Sequence, residues 1–173
     1  MMTKPLSIVA FLWVFGCYFM LVSEGSFAQQ QLGATVKAAG CVITTPKGIV
    51  LGIGTKFGDI RIPFGAHEIG ETAQDTAARE TMEETGLDVD VGSLLQTFEN
   101  ESAFLFHCLP TRPIDDYSQL SPVDTSEIAE VIVLDPDTMS NHDGRKIKNS
   151  WRFAEDRRLL IKIFQKYKTE QSK

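Results

Sequence analysis

Three carboxylates crowd one short stretch of this chain: Glu80, Glu83 and Glu84, at positions i, i+3 and i+4. On a helix that spacing puts all three on one face. Like charges so placed repel by some tenths of a kcal/mol per pair. A solvated acidic face relieves such repulsion with lysines four residues on, and none stands there. The nearest cation, Arg79, precedes Glu83 in the weaker orientation. A divalent cation would remove the repulsion, and an all-oxygen ligand set suits Mg²⁺ or Mn²⁺ better than zinc. The alternative is a plain glutamate-rich surface.

The element that must carry these acids has marked ends. Thr72 is placed to cap a helix and Asp75, three residues on, to complete a capping box. Gly86 stops the helix about four turns later, and Leu87 is the apolar residue that folds back over such a stop. Ala77, Ala78, Thr81 and Thr85 cover an adjacent arc, small enough for close packing on a sheet.

The full pattern is Gly65, five residues, Glu71, seven residues, Arg79-Glu80, two residues, Glu83-Glu84, one residue, Gly86-Leu87. It resembles the Nudix box of the Nudix hydrolases, which cleave nucleoside diphosphates linked to another moiety. The seven glycine, glutamate and arginine identities among these offsets arise by chance on the order of once in 10⁸ registers. Pro63, Glu68 and Gly70 match the loop that leads into the box. Thr81 stands at a site that is usually aliphatic, and Phe64 where the family commonly has glycine.

The resemblance implies an α/β (α+β) fold of the α/β/α sandwich type with a mixed sheet. It also implies Mg²⁺ (or Mn²⁺) held by Glu80, Glu83 and Glu84, with the backbone carbonyl of Phe64 as a further ligand. Arg79 is expected to pair with Glu71 and to orient loop and helix within the catalytic constellation; Gly65, Glu71 and Gly86 are its structural positions. The general base is either Glu84 or a carboxylate from a later segment, for which Glu127 and Glu130 are the candidates. Glu68 is placed to assist at the metal or to stabilise the loop. His67 and His107 are expected to be local hydrogen-bonders. Arg112 and Tyr117, on a long loop, are the candidates for phosphate contact or base stacking.

The implied substrate is a small-molecule nucleotide derivative. The proline or tyrosine that marks some subgroups after the box is absent, since Ser102, Ala103, Phe104 and Leu105 stand there. A catalytically silent nucleotide-binding or sensor domain on the same fold is the alternative.

Length and composition fit one domain, residues 29–173, preceded by an address segment, residues 1–28. Lys4 precedes an apolar run from Leu6 to Val22, and Ser26-Phe27-Ala28 fits the small-residue rule for signal-peptide cleavage before Gln29. A cleaved signal peptide would make the protein extracytoplasmic, periplasmic or secreted; an uncleaved segment would be a membrane anchor. A net charge of −6 with no basic stripe excludes electrostatic binding to a nucleic-acid duplex. A homodimer through exposed strands or loops stays open. Cys41 and Cys108 lie in apolar strand-like runs and are expected to be buried thiols, with a disulfide as the alternative in an oxidising compartment.

Strands are expected over 34–45, 49–53, 60–62, 88–98 (broken near Gly92-Ser93), 103–109 and 128–134. Pro110 to Thr125 reads as a functional or disordered loop. Asp135-Pro136 suggests a turn and a short helix to Asn141. Phe153, Leu160, Ile163, Phe164 and Tyr167 form the apolar stripe of a terminal helix over 150–168.

Overall fold

The computed structural model describes residues 35–172; the expected signal segment, 1–28, lies outside them. The chain runs β1 (Ala38–Thr45), β2 (Gly48–Gly54), β3 (Ile60–Arg61), β4 (Phe64–Ala66), α1 (Ala73–Thr85), β5 (Val89–Phe98) and β6 (Ala103–Pro110). It continues through β7 (Ile128–Asp135) and β8 (Ser140–Asn141) to α2 (Ala154–Gln171).

Side chains of β1 alternate between two apolar layers, because successive residues of a strand face opposite sides of the sheet. Ala39, Cys41 and Ile43 pack with Ala77 of α1. Val42 packs instead with Leu160 and Phe164 of α2. Val50, Phe106 and Val133 join the first layer, and Leu51, Leu105 and Ile132 the second. Each helix therefore covers one face, which is the α/β/α sandwich expected.

The sheet order is β5-β6-β1-β2-β7-β8, with β3 paired to β2 and β4 to β1. β1 and β6 run parallel, while every other pair is antiparallel, so the sheet is mixed. Gly40 sets the crossing that matters for the site. A Cβ there would overlap the carbonyl of Pro63, and Phe64 is also in its way. Without a side chain, the Cys41 N–H reaches the Pro63 carbonyl at 3.0 Å, drawing the loop ahead of α1 onto the sheet.

Four expectations need correction. Cys41 and Cys108 form a disulfide, with Cα atoms 5.5 Å apart, instead of remaining thiols. Parallel pairing of β1 with β6 sets Ile43 opposite Cys108, so the two cysteines are near neighbours on one face. Asp135 to Asn141 is a turn into β8 and not a helix. The Asp135 carboxylate accepts the N–H groups of Asp137 (2.9 Å) and Thr138 (3.2 Å), and Met139 takes positive φ. Phe153 is 61% exposed and sits at the N-cap of α2 rather than on its buried stripe. Finally, β5 is not broken at Gly92-Ser93 but bulged, its register with β6 shifting on either side of Leu94.

Candidate active site

α1 starts and stops where its end residues predict. The Asp75 N–H bonds the Thr72 hydroxyl at 3.1 Å, and the Thr72 N–H bonds the Asp75 carboxylate at 2.9 Å. Gly86 takes φ 72° and donates to the Met82 carbonyl. Thr81, where an aliphatic residue was expected, is fully buried. Its hydroxyl is satisfied at 2.7 Å by the Ala77 carbonyl, so burial leaves no unpaired polar atom. The loop from Pro110 to Thr125 also supports this helix: the N–H groups of Val123 and Asp124 donate to the Glu83 carbonyl at 2.8 and 3.0 Å. That satisfies one of the carbonyls a helix end leaves free.

Glu80 and Glu84 are buried, at 8% and 5% exposure, while Glu83 stands at the edge. Gly65 makes room for this arrangement, because a Cβ at that position would overlap the Glu80 carboxylate. Arg79 does more than pair with Glu71. Its Nε donates to Glu71 at 2.7 Å, Nη1 reaches Glu80 at 2.8 Å and Glu83 at 3.0 Å, and Nη2 holds the Ala66 carbonyl at 2.7 Å. One guanidinium thus joins the loop to the helix and offsets part of the charge of the clustered acids. Glu71 responds with a pKa lowered to about 2, chiefly through its hydrogen bond to Arg79.

Glu84 is treated differently. The Phe64 N–H donates to it at 2.9 Å, but among the described residues no cation forms an ion pair with it, Arg61 acting only from a distance. Burial pushes its carboxyl up to about 8, with Glu80 and Glu127 raising it further. Glu80 is also raised, mainly by burial and against the pull of Arg79. Phe64 meets the acids through its N–H.

Glu84 opens into a cavity of about 640 Å³. Glu127 lines the same cavity, its backbone carbonyl pinned by the Thr55 N–H at 2.8 Å. Glu130 instead pairs with Arg145 at 2.8 Å. Arg112 and Tyr117 do not line this cavity. Tyr117 packs beside His142, ring centroids 5.5 Å apart, and against the α1-side layer. The cavity is lined by residues with no such expectation: Arg61, Phe98, Arg152, Phe153 and Asp156.

Arg61 is committed to the buried Asp59 through two 3.0 Å hydrogen bonds. Arg152 reaches Asp59 only at 3.7 Å and stands 5.8 Å from the ring centroids of Phe57 and Phe153, which leaves it spare donors. The alternating Asp59-x-Arg61 pair and Trp151-Arg152-Phe153 ahead of the last helix were the available signals. His67 bonds the Glu71 carbonyl (2.9 Å) and His107 the Thr44 hydroxyl (3.1 Å), both local roles as expected. Glu68 is exposed, and its N–H donates to Glu71 at 3.1 Å.

The donors suit a hard divalent cation. Glu80, Glu83 and Glu84 offer only oxygens, and a guanidinium already bridges two of them. Five acids and two arginines line the cavity, so an anionic ligand entering it needs added positive charge. Among the described residues, no three acidic, histidine or cysteine side chains already converge as a finished metal site. Glu80 and Glu83 would have to turn from Arg79 to bind an ion.

The NUDIX domain model matches residues 34–155. Among solved structures, the chain is similar to a UDP-X diphosphatase (20% identity, TM-score 0.56), over 78% of this chain and 65% of that one. It is similar also to a NUDIX hydrolase from Nitrosomonas europaea (22%, TM-score 0.58; 78% and 73% covered). A third likeness is to an ADP-ribose pyrophosphatase from Streptococcus suis (17%, TM-score 0.53; 73% and 89%). At these identities the likeness to solved structures is one of fold.

Proposed function

The chain belongs to the NUDIX domain family, and on that premise we propose that it is a pyrophosphohydrolase dependent on Mg²⁺ or Mn²⁺. It cleaves the pyrophosphate linkage of a nucleoside diphosphate derivative by attack of water on phosphorus. One observation carries this reading: the buried Glu84 shares a cavity with Glu127, at the edge of a glutamate cluster that one guanidinium bridges but does not neutralise. Two structural neighbours, a UDP-X diphosphatase and an ADP-ribose pyrophosphatase, agree by name with the substrate class.

Glu80, Glu83 and Glu84 would hold the metal, with the Phe64 carbonyl as a further oxygen. Bound there, the ion supplies neutralisation of phosphate oxygens and polarisation of water. The chain's own residues do the rest. Glu127 accepts the proton of the attacking water, since it faces the cavity while Glu130 is held by Arg145. Arg79 keeps the loop on the helix through Glu71 and Ala66. Arg152 takes an outer phosphate oxygen with its spare donors. The fully buried Cys41–Cys108 disulfide supports an oxidising, extracytoplasmic setting, in keeping with a cleaved signal peptide.

The test is Glu83→Gln, at a side chain exposed enough to change without disturbing the core. Assayed with Mg²⁺ on ADP-ribose, nucleotide sugars, nucleoside triphosphates, diadenosine polyphosphates and capped RNA, the wild type should turn over at least one. The variant should lose orders of magnitude while binding nucleotide and unfolding as before. Equal turnover by the two would refute the assignment. Tight nucleotide binding by a wild type that hydrolyses none of the panel would make this a silent binding domain.

A further inference from the structure

Resting on that reading of the cavity, we propose that the nucleotide's base is read by the segment that opens α2. Phe153 is its stacking face, the Asp156 carboxylate is its hydrogen-bond acceptor, and the base so selected is guanine. Both residues line the cavity that holds Glu84 and Glu127, and neither helps to hold the glutamate cluster.

Asp156 is half-buried, and among the described residues no hydrogen bond or cation holds its carboxylate. A carboxylate in the first turn of a helix ordinarily accepts an N–H of that turn. Here α2 has no side-chain cap, and the Asp156 N–H itself donates to the Phe153 carbonyl at 3.2 Å. Burial raises the Asp156 carboxyl to about 6, as befits an acceptor without donors. Its neighbour Glu155 stands 3.7 Å from Arg158 and is exposed, so of these two acids Asp156 is the one without a partner among the described residues.

Phe153 lines the cavity and is 61% exposed, a large apolar ring that belongs to neither core layer of the described residues. Such an exposed ring suits stacking on a planar base. The choice of base follows from what an ionised carboxylate can do, which is accept and never donate. Guanine offers two adjacent donors on one edge, its ring N1–H and its exocyclic amine, matching both carboxylate oxygens. Adenine and cytosine set a ring lone pair beside the amine, and uracil flanks its single N–H with carbonyls. Each of those edges would face a carboxylate oxygen with another acceptor.

Titration calorimetry of GDP, ADP, CDP and UDP in the presence of Mg²⁺ tests this. The wild type should bind GDP roughly tenfold or more tightly than UDP, and Asp156→Asn should weaken GDP by roughly ten- to a hundredfold while leaving UDP nearly unchanged. Phe153→Ala should weaken all four together. Asp156→Glu, which keeps the carboxylate, should retain the order of preference and guards against a folding artefact in the asparagine variant. Equal binding of the four by the wild type, or a uniform loss in Asp156→Asn, would overturn the proposal. Hydrolysis of nucleotide derivatives without preference among bases would overturn it too, while leaving the pyrophosphohydrolase reading intact. Guanine-selective binding without any hydrolysis would sustain the base site and sink the enzymatic reading.

Discussion

Removing the charge of Glu84 should change how the metal-free protein's stability depends on pH. Glu84 is 5% exposed and its carboxyl is pushed from 4.5 up to about 8, first by burial, then by Glu80 and Glu127. The folded pKa is therefore above the unfolded one. Between the two, the native state keeps a proton that the unfolded chain releases. The resulting stabilisation is complete below the unfolded pKa and is lost as pH rises through about 8. At about 1.4 kcal/mol per pH unit, a shift of this size gives an upper bound of about 5 kcal/mol, and a net effect on the order of a few kcal/mol is expected.

The assay is urea unfolding in the presence of a chelator at intervals across that window, for wild type and Glu84→Gln. Glutamine is neutral throughout and makes the same shape, so its profile should lack this component. Asp156 and Glu80 are raised as well, so each adds its own slope and the quantity to read is the difference between the two proteins. Added Mg²⁺ should recover the wild type at the alkaline end, because a cation favours the ionised carboxylate, and should do little for the variant. Parallel profiles for the two proteins would refute the reasoning, since Glu84 would then titrate as a solvated acid.

Gly65→Ala places a methyl group where the Glu80 carboxylate lies. It should cost about 1–3 kcal/mol by overpacking and weaken Mg²⁺ binding; a variant matching the wild type in both unfolding and metal titration would show that the glycine is dispensable. The Cys41–Cys108 bridge spans 67 residues of sequence and contributes up to about 4 kcal/mol through the unfolded chain. Reductant in urea should therefore lower the wild type's midpoint and leave a Cys41→Ala/Cys108→Ala double variant untouched, with exported protein beginning at Gln29 by intact mass. Equal sensitivity to reductant in the two proteins would argue against the bridge.

The acid cluster was legible because its logic is local. Caps, stop and carboxylate spacing all fall within one helix, and the fold class followed from strands on either side of it. The disulfide was not legible, because two buried cysteines in separate strands read alike whether or not the strands are neighbours. Only the parallel register of β1 with β6 decides that. Asp135-Pro136 misled for a related reason: the Asp135 carboxylate bonds N–H groups two and three residues on, a pattern that opens helices and tight turns alike.

The far side of the cavity shows where sequence reasoning ends. Arg112 and Tyr117 were attractive as a cation and an aromatic on a long loop. That loop is used up elsewhere, its backbone donating to the end of α1 and Tyr117 packing beside His142. Arg152 and Phe153 gave no comparable signal, and Phe153 counted as one more apolar position on a helical stripe. What brings them to the site is backbone pairing across the chain: Ile60 donates to the Ser150 carbonyl at 2.8 Å, and the Arg152 N–H returns to the Ile60 carbonyl at 2.9 Å. β3 is thereby extended by the segment that opens α2. Hydrogen bonds of this kind carry no residue preference, so no periodicity records them. The same pairing sets Arg152 beside Asp59, next to Ile60 in the chain, and so gives the cavity an arginine whose donors are not all spent. The base site proposed above accordingly rests on a junction between segments some ninety residues apart, while the glutamates proposed to hold the metal sit within two turns of one helix.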